Sequence, residues 1–421
     1  MKSKLILTLI CLTLLSPVPP AVAGSVDTRQ SFHSSELIFP LEHWHNHGSC
    51  VVECPNGDLL VCWYNGSGER TADDVRVLGA RLRKGSRQWS PPFVMADTPG
   101  FPDTNPAMFI DPQKRLWLFW STIIDNRWES ALMKYRISSR YEKPGAPQWA
   151  AGEIMHLKPG TNFQQAVEMK LDNLADGPPP EMKPDEVTKW VKEKKAGLVE
   201  KISCRLGWMT RAHPTVLDGR RLLVPIYSDG LECCLMAITD DWGQNWSIST
   251  PIFGMIASQP SVIRKADGSL VAFMRDDGSA IHRVQLSQSS DRGETWSRVV
   301  SSDRPDPGAG VEAIVLASGT WLLINNDLEH ERHSLAVSLS DDEGKTWKVV
   351  RHLERDTAAE AKAGAGSYHY PSIIQARDGS IHATYSFHQK ASETKPGVDG
   401  KPATESIKHA HFTEAWVRQG D

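Results

Sequence analysis

"SLSDDEGKTW", residues Ser338 to Trp347, is the stretch whose reading decides the fold. It could be a metal loop, an exposed acidic tip or one copy of a structural repeat. An EF-hand calcium loop needs oxygen ligands at alternate positions over about twelve residues, with a closing glutamate and flanking helices; this run is too short. Self-similarity is the stronger test. Ser289-Ser-Asp-Arg-Gly-Glu-Thr-Trp296 carries serine, aspartate, glycine, threonine and tryptophan at the same offsets as Ser340-Asp-Asp-Glu-Gly-Lys-Thr-Trp347. Thr239-Asp-Asp-Trp-Gly-Gln-Asn-Trp246 is a looser copy, and the tryptophans recur at roughly 50-residue intervals, the size of a propeller blade. In such a turn the aspartate accepts hydrogen bonds from its own loop, the glycine supplies a positive φ, and the tryptophan pins the turn to the sheet. The run therefore reads as a hairpin fastener, and its aspartates as structural.

A second element recurs six times, a turn leading into an apolar strand: "PNGDLLVCWY" from Pro55, "DPQKRLWLFW" from Asp111, "LDGRRLLVPIY" from Leu217, "ADGSLVAFMR" from Ala266, "ASGTWLLINN" from Ala317 and "RDGSIHATYSF" from Arg377. Each follows a short apolar or β-branched run, so each predicts a hairpin. Three continue into the fastener turn, which makes a four-stranded unit. Six such units arranged radially predict an all-β, six-bladed propeller. Between the second and third copies the interval doubles. Residues from about 150 to 205 predict an insertion with one short amphipathic helix, marked by Val187, Trp190, Val191 and Leu198, that could shape a rim or simply be solvated. A polar excursion from His388 predicts a long loop before a closing strand that pairs with the N-terminal segment.

Met1 to Gly24 has two lysines, an apolar core from Leu5 to Leu15 and Ala21-Val-Ala23 before the expected cleavage, which reads as a secretory signal peptide over residues 1–23. The domain expected over 24–421 is then secreted or periplasmic. The apolar core is too short to span a bilayer and no later run reaches the roughly 18 residues a span needs. Cys11 lacks the preceding small residue of a lipoprotein signal. Cys50, Cys54, Cys62, Cys204, Cys233 and Cys234 remain; export permits disulfides, Cys50 and Cys62 could face each other across one hairpin, and the Cys233–Cys234 pair reads as packing. A net charge of −4 without a basic block gives no support to nucleic-acid binding. Neither a cofactor nor a metal is expected: His43, His45 and His47 alternate onto one side of an extended strand, but spacing supplies no further ligand.

These residues resemble the sialidase (neuraminidase) superfamily, six-bladed propellers with repeated Asp-box turns, and the resemblance covers essentially the whole mature chain. It implies an exo-α-sialidase-like glycoside hydrolase acting on a glycan or oligosaccharide. Sialidases hold the substrate carboxylate with three arginines, a sound choice because guanidinium is planar, bidentate and permanently charged. The resemblance puts Arg275 and Arg332 at two of these places and His47 at the third. It makes Tyr370 the nucleophile, with Tyr368 and His369 beside it. Gln259 stands where a glutamate would take the tyrosine proton, and an amide cannot do so. The acid falls on Asp73 or Asp74, Asp73 matching the spacing and Asp74 left to substrate binding. Two departures thus mark the set, His47 and Gln259. Trp44, Trp63, Tyr64, Trp120 and Tyr227 could stack on sugars or fill the core.

Three functions follow from this sequence: removal of a terminal acidic sugar; β-elimination on a uronate polysaccharide with His47 and Tyr370 as base and acid; and non-catalytic glycan binding. Fold alone does not choose among them.

Overall fold

The computed structural model describes residues 27–157, 162–178, 183–254, 257–277, 281–397 and 399–421, so the leader expected over residues 1–23 lies outside the described residues. Six antiparallel sheets form a six-bladed β-propeller. Blade one runs from His45 to Ala96, blade two from Asp103 to Ile154, blade three from Trp208 to Ile248, blade four from Ala257 to Pro305 and blade five from Glu312 to Arg355. Blade six takes Ser367–Gln375, Ile381–His388 and Glu405–Phe412, and its outer strand is the N-terminal His33–Leu37. That pairing closes the ring by hydrogen bonds between the two ends of the chain.

The blades hold because successive apolar faces stack: Trp117, Phe119 and Trp208 are buried between blades two and three, and Phe273 and Trp321 between blades four and five. The fastener turns behave as their composition requires. Asp342 accepts from Thr346 N at 2.8 Å, from Thr346 Oγ1 at 2.7 Å and from Ser340 Oγ at 2.8 Å. Gly344 adopts φ +80°. Asp291 and Asp241 repeat the arrangement. These bonds lower the Asp241 and Asp342 carboxyls to about 2, so both stay charged acceptors. Trp296 and Trp347 are buried, Trp347 edge-on to Phe273 of the preceding blade at 6.1 Å.

The insertion holds two helices where one was expected: α1 (Phe163–Asp176) and α2 (Pro184–Leu198). Phe163, Val167, Leu171 and Leu174 give α1 an apolar stripe at helical spacing, and Val187, Trp190, Val191 and Leu198 give α2 another. Both stripes are buried with Trp208 and Phe253 of the propeller, so the pair packs against the blades. Cys50 and Cys62 do face each other in register, and the six described cysteines are free thiols. No helix among the described residues is long and apolar enough to cross a membrane.

Candidate active site

What aims side chains at the axis is a repeated irregularity. The innermost strands of blades one, two, four and six each carry a register shift, at His47/Cys50, Thr104/Ala107, Ser258/Ser261 and His369/Ser372. At the shift sits a residue with positive φ: Gly48 (+63°), Asn105 (+49°), Gln259 (+55°) or Tyr370 (+53°). A bulge turns one side chain out of the pleat, and the left-handed backbone it needs is strained for a non-glycine residue. Three of the four precede a proline, Pro106, Pro260 and Pro371, whose missing N–H forfeits no ladder bond there. In blade one glycine takes the turn; a Cβ on Gly48 would stand 2.9 Å from Tyr64 Cε1. His47, just before it, faces the cavity instead.

Blade three solves the same problem differently. Its inner strand breaks between Thr210 and Thr215, both pieces pairing with Arg221–Ser228. The freed residues stitch the axis. Arg211 donates to the carbonyls of Ser49, Tyr370 and Pro371, which fixes the backbone of Tyr370 from below. His213 Nδ1 meets Glu312 Oε1 at 2.7 Å and its Nε2 meets Val51 O at 2.8 Å; Glu312 also accepts from His213 N and Ile373 N. Burial opposes charge on His213, but Cys50 and Glu312 outweigh it and raise the imidazole well above its ordinary value. Four blades are joined by this buried pair.

The resulting cavity, of about 170 Å³, is lined by His47, Tyr64, Glu69, Asn105, Trp128, Tyr227, Asp229, Gln259, Arg275, Asp277 and Tyr370. Tyr370 is its centre. Three guanidiniums surround the ring, Arg211 and Arg332 at 5.4 Å and Arg275 at 5.6 Å from its centroid. Arg275 also donates to Tyr370 Oη and to Asp277. The His47 ring meets Tyr370 edge-on at 4.3 Å. Burial first, then electrostatic repulsion from the neighbouring His369, His45, His388 and Arg332, hold His47 well below the usual imidazole range, so it is neutral. It supplies no cation for a carboxylate.

Four of the sequence-derived residues, His47, Gln259, Arg275 and Tyr370, therefore come together. Arg332 lies against the Tyr370 ring and donates to Gly308 O at 2.7 Å, outside the cavity lining. Asp73 and Asp74 do not reach the cavity. Both are exposed: Asp73 accepts from Asn126 at 3.0 Å, and Asp74 caps its own loop by accepting from Ser67 N at 3.0 Å and Ser67 Oγ at 2.9 Å. The same loop sends Glu69 inward instead. The three-histidine alternation also breaks, because His43 precedes the strand and pairs with Asp399 at 2.7 Å, while the His45 and His47 rings stack at 5.3 Å. Tyr64 and Tyr227 line the cavity, Trp63 and Trp120 are buried outside its lining, and Trp44 is exposed.

Residues the sequence did not single out complete the wall. Glu69 accepts from Tyr64 Oη at 2.8 Å and lies 3.3 Å from His45 Nε2; burial opposes its charge, but these bonds win and lower its carboxyl. Asp229 is pushed up to about 7 by burial and then by Asp277, against the pull of Arg275. Gln259 Nε2 donates to Tyr227 Oη at 3.1 Å, and its buried Oε1 has no partner among the described residues. A signal for Asn105 was present in the repeated X-Pro step of the inner strands. Asp229 and Asp277 follow corresponding strand ends, Tyr227-Ser-Asp and Arg275-Asp-Asp.

Comparison with known proteins agrees with this architecture. A family model described as a BNR repeat-like domain matches residues 57–178 and 184–383. The chain belongs to that family. No curated protein matches it in sequence. Among solved structures, a protein of unknown function from Dyadobacter fermentans superposes with a TM-score of 0.64 at 13% identity, covering 90% of this chain and 97% of its own. The NanB sialidase from Streptococcus pneumoniae gives 0.62 at 12% identity, covering 91% of this chain and 71% of its own. A leech intramolecular trans-sialidase gives 0.62 at 12%, with 92% and 71% covered. At such identity the likeness is one of fold.

Proposed function

We propose that the protein is an exported glycoside hydrolase that removes a terminal acidic sugar from a glycan, with Tyr370 as the nucleophile. The observation that carries this reading is the setting of Tyr370: its ring lies among Arg211, Arg275 and Arg332, and its oxygen accepts from Arg275. Arg275 on that oxygen, with Arg211 and Arg332 near the ring, stabilises negative charge as its proton leaves, before any substrate arrives. A phenol is also a fitting nucleophile for an anomeric carbon that bears a carboxylate, because it meets less repulsion than a carboxylate would. The cavity of about 170 Å³ is smaller than the ~300–1,000 Å³ typical of drug-sized pockets, which favours one sugar entering end-on.

The acid role expected of Asp73 passes to Asp229, which faces the cavity and, raised to about 7, holds its proton near neutral pH. Asp229 protonates the leaving glycosidic oxygen while Tyr370 Oη bonds to the anomeric carbon and gives its own proton to the neutral His47 imidazole; water then cleaves the glycosyl-tyrosine bond, one water proton returning to Asp229 and the His47 proton returning to the tyrosine oxygen. Arg275 receives the substrate carboxylate, which competes with Asp277 for it, while Arg332 beside the Tyr370 ring adds positive charge. A second reading, β-elimination on a uronate, is favoured by the neutral His47 imidazole at 4.3 Å from the Tyr370 ring, an available base beside a phenol acid.

Incubating the mature chain with a fluorogenic α-sialoside and with uronate polysaccharides, beside Tyr370→Phe, separates these readings. Fluorophore release that falls at least about 10³-fold in the variant supports the hydrolase. An ultraviolet-absorbing unsaturated product supports the lyase. Saturable sugar binding without product would overturn both and leave a binding propeller.

A further inference from the structure

We propose that His45, His388 and Glu405 form a divalent transition-metal site of the zinc class at the seam where the propeller ring closes. His45 opens the innermost strand of blade one, while His388 ends one strand of blade six and Glu405 begins the next. His388 and Glu405 are directly opposite in register, so their side chains leave the sheet as cross-strand neighbours. One ligand atom from each of the three lies within 4.8 Å of the others.

The donor set and its spacing suit zinc. Two imidazole nitrogens and one carboxylate oxygen, with a position left open, are a recurrent zinc set. Metal–ligand bonds of about 2.0–2.1 Å in a tetrahedron put neighbouring ligand atoms about 3.3–3.4 Å apart. His45 Nδ1 lies 3.2 Å from Glu405 Oε2, and His388 Nε2 lies 3.4 Å from the same oxygen. Only the edge between the imidazoles needs to close. His388 Nε2 is shielded from solvent and makes no hydrogen bond of good geometry, which leaves its lone pair for a ligand.

The surroundings orient the ligands as metal sites require. The nitrogen of His45 that faces away from Glu405, Nε2, is held by Glu69 Oε1 at 3.3 Å; a carboxylate on the far nitrogen fixes the tautomer and ring direction of a ligating histidine. Asn46 N donates to Glu405 Oε2 at 2.9 Å and steadies the carboxylate. Because Glu69 also lines the cavity, an ion here would clamp blade one to blade six and set one wall of the candidate active site. The site stands whether or not the hydrolase reading does.

Untagged chain, stripped with a chelator and dialysed, would be titrated with Co²⁺ by visible absorption and with Zn²⁺ by competition against a chromogenic chelator. One ion per chain is expected, with a Zn²⁺ Kd below ~1 μM and cobalt bands of a low-coordinate nitrogen and oxygen site. His388→Ala and Glu405→Gln should each weaken binding at least about 100-fold, Glu69→Gln about 10-fold, and His43→Ala not at all. Absence of saturable Co²⁺ or Zn²⁺ binding by the unmutated chain would overturn the proposal without reference to any variant. Binding unchanged in both folded His388→Ala and Glu405→Gln would overturn it too, leaving His45 as a plain ion-pair partner of two glutamates.

Discussion

Replacing Asp229 by asparagine should make the protein more stable at alkaline pH and nearly inactive on ordinary glycosides. Asp229 has its carboxyl raised from 3.8 to about 7, chiefly by burial and then by Asp277. An acid whose folded value is raised binds more protons folded than unfolded, so the wild type loses stability as pH climbs from about 4 to about 7 and the full cost applies above that. Three units at about 1.36 kcal/mol each set that cost at up to about 4 kcal/mol. Asparagine, uncharged throughout, escapes it. Unfolding entropy of about 2.1 cal/mol/K per residue over roughly 400 residues converts 4 kcal/mol into a Tm rise of about 5 °C at pH 8, against less than about 1 °C at pH 4. Turnover should fall about 10²–10⁴-fold with a poor leaving group, and recover with a nitrophenol that needs no proton to depart. In the wild type, kcat/KM should decline above about pH 7. A Tm gap that does not widen between pH 4 and 8, or equal losses on both leaving groups, would refute the assignment.

Two further predictions concern buried charge. Glu312→Gln leaves the His213 imidazolium without its carboxylate on the propeller axis, which should cost about 3–5 kcal/mol and lower Tm by roughly 4–6 °C; a loss under about 1 kcal/mol in urea unfolding would show that the pair does not join the blades. Gln259→Glu and His47→Arg should each destabilise when made alone, because each adds one unmatched charge at a buried position of the cavity, whereas the double variant should recover about 1–3 kcal/mol of the summed loss. Strict additivity in a four-protein unfolding cycle would disprove that coupling.

The parts of this structure legible in the sequence are those governed by local rules. Ser340, Asp342, Gly344 and Thr346 satisfy one another within seven residues, so the turn can be read without knowing its neighbours. The hairpins and strand alternation are local in the same sense, and they suffice for six blades. Helix α1 obeys the same local rule, since Phe163, Val167, Leu171 and Leu174 keep helical spacing. The cavity follows other rules. Asp73, Asp74 and Glu69 occupy one loop, and which of them turns inward depends on Tyr64 and His45, partners that a loop sequence does not reveal. His388 and Glu405 meet His45 only because the ring closes, a contact between opposite ends of the chain.

The departures from the sialidase pattern make physical sense as a pair. An arginine replaced by a histidine that burial keeps neutral removes one positive charge. A glutamate replaced by Gln259 removes one negative charge from the same cavity. Either change alone would leave a buried charge without its counterpart, at a cost of several kcal/mol. Together they conserve the net charge around Tyr370 and alter only the hydrogen bonds: Gln259 donates to Tyr227, and His47 packs edge-on against the tyrosine ring. Tyr370 itself sits in strained left-handed backbone, with its carbonyl held by Arg211 and its hydroxyl by Arg275. Strain and burial both converge on Tyr370, which supports the role proposed for it.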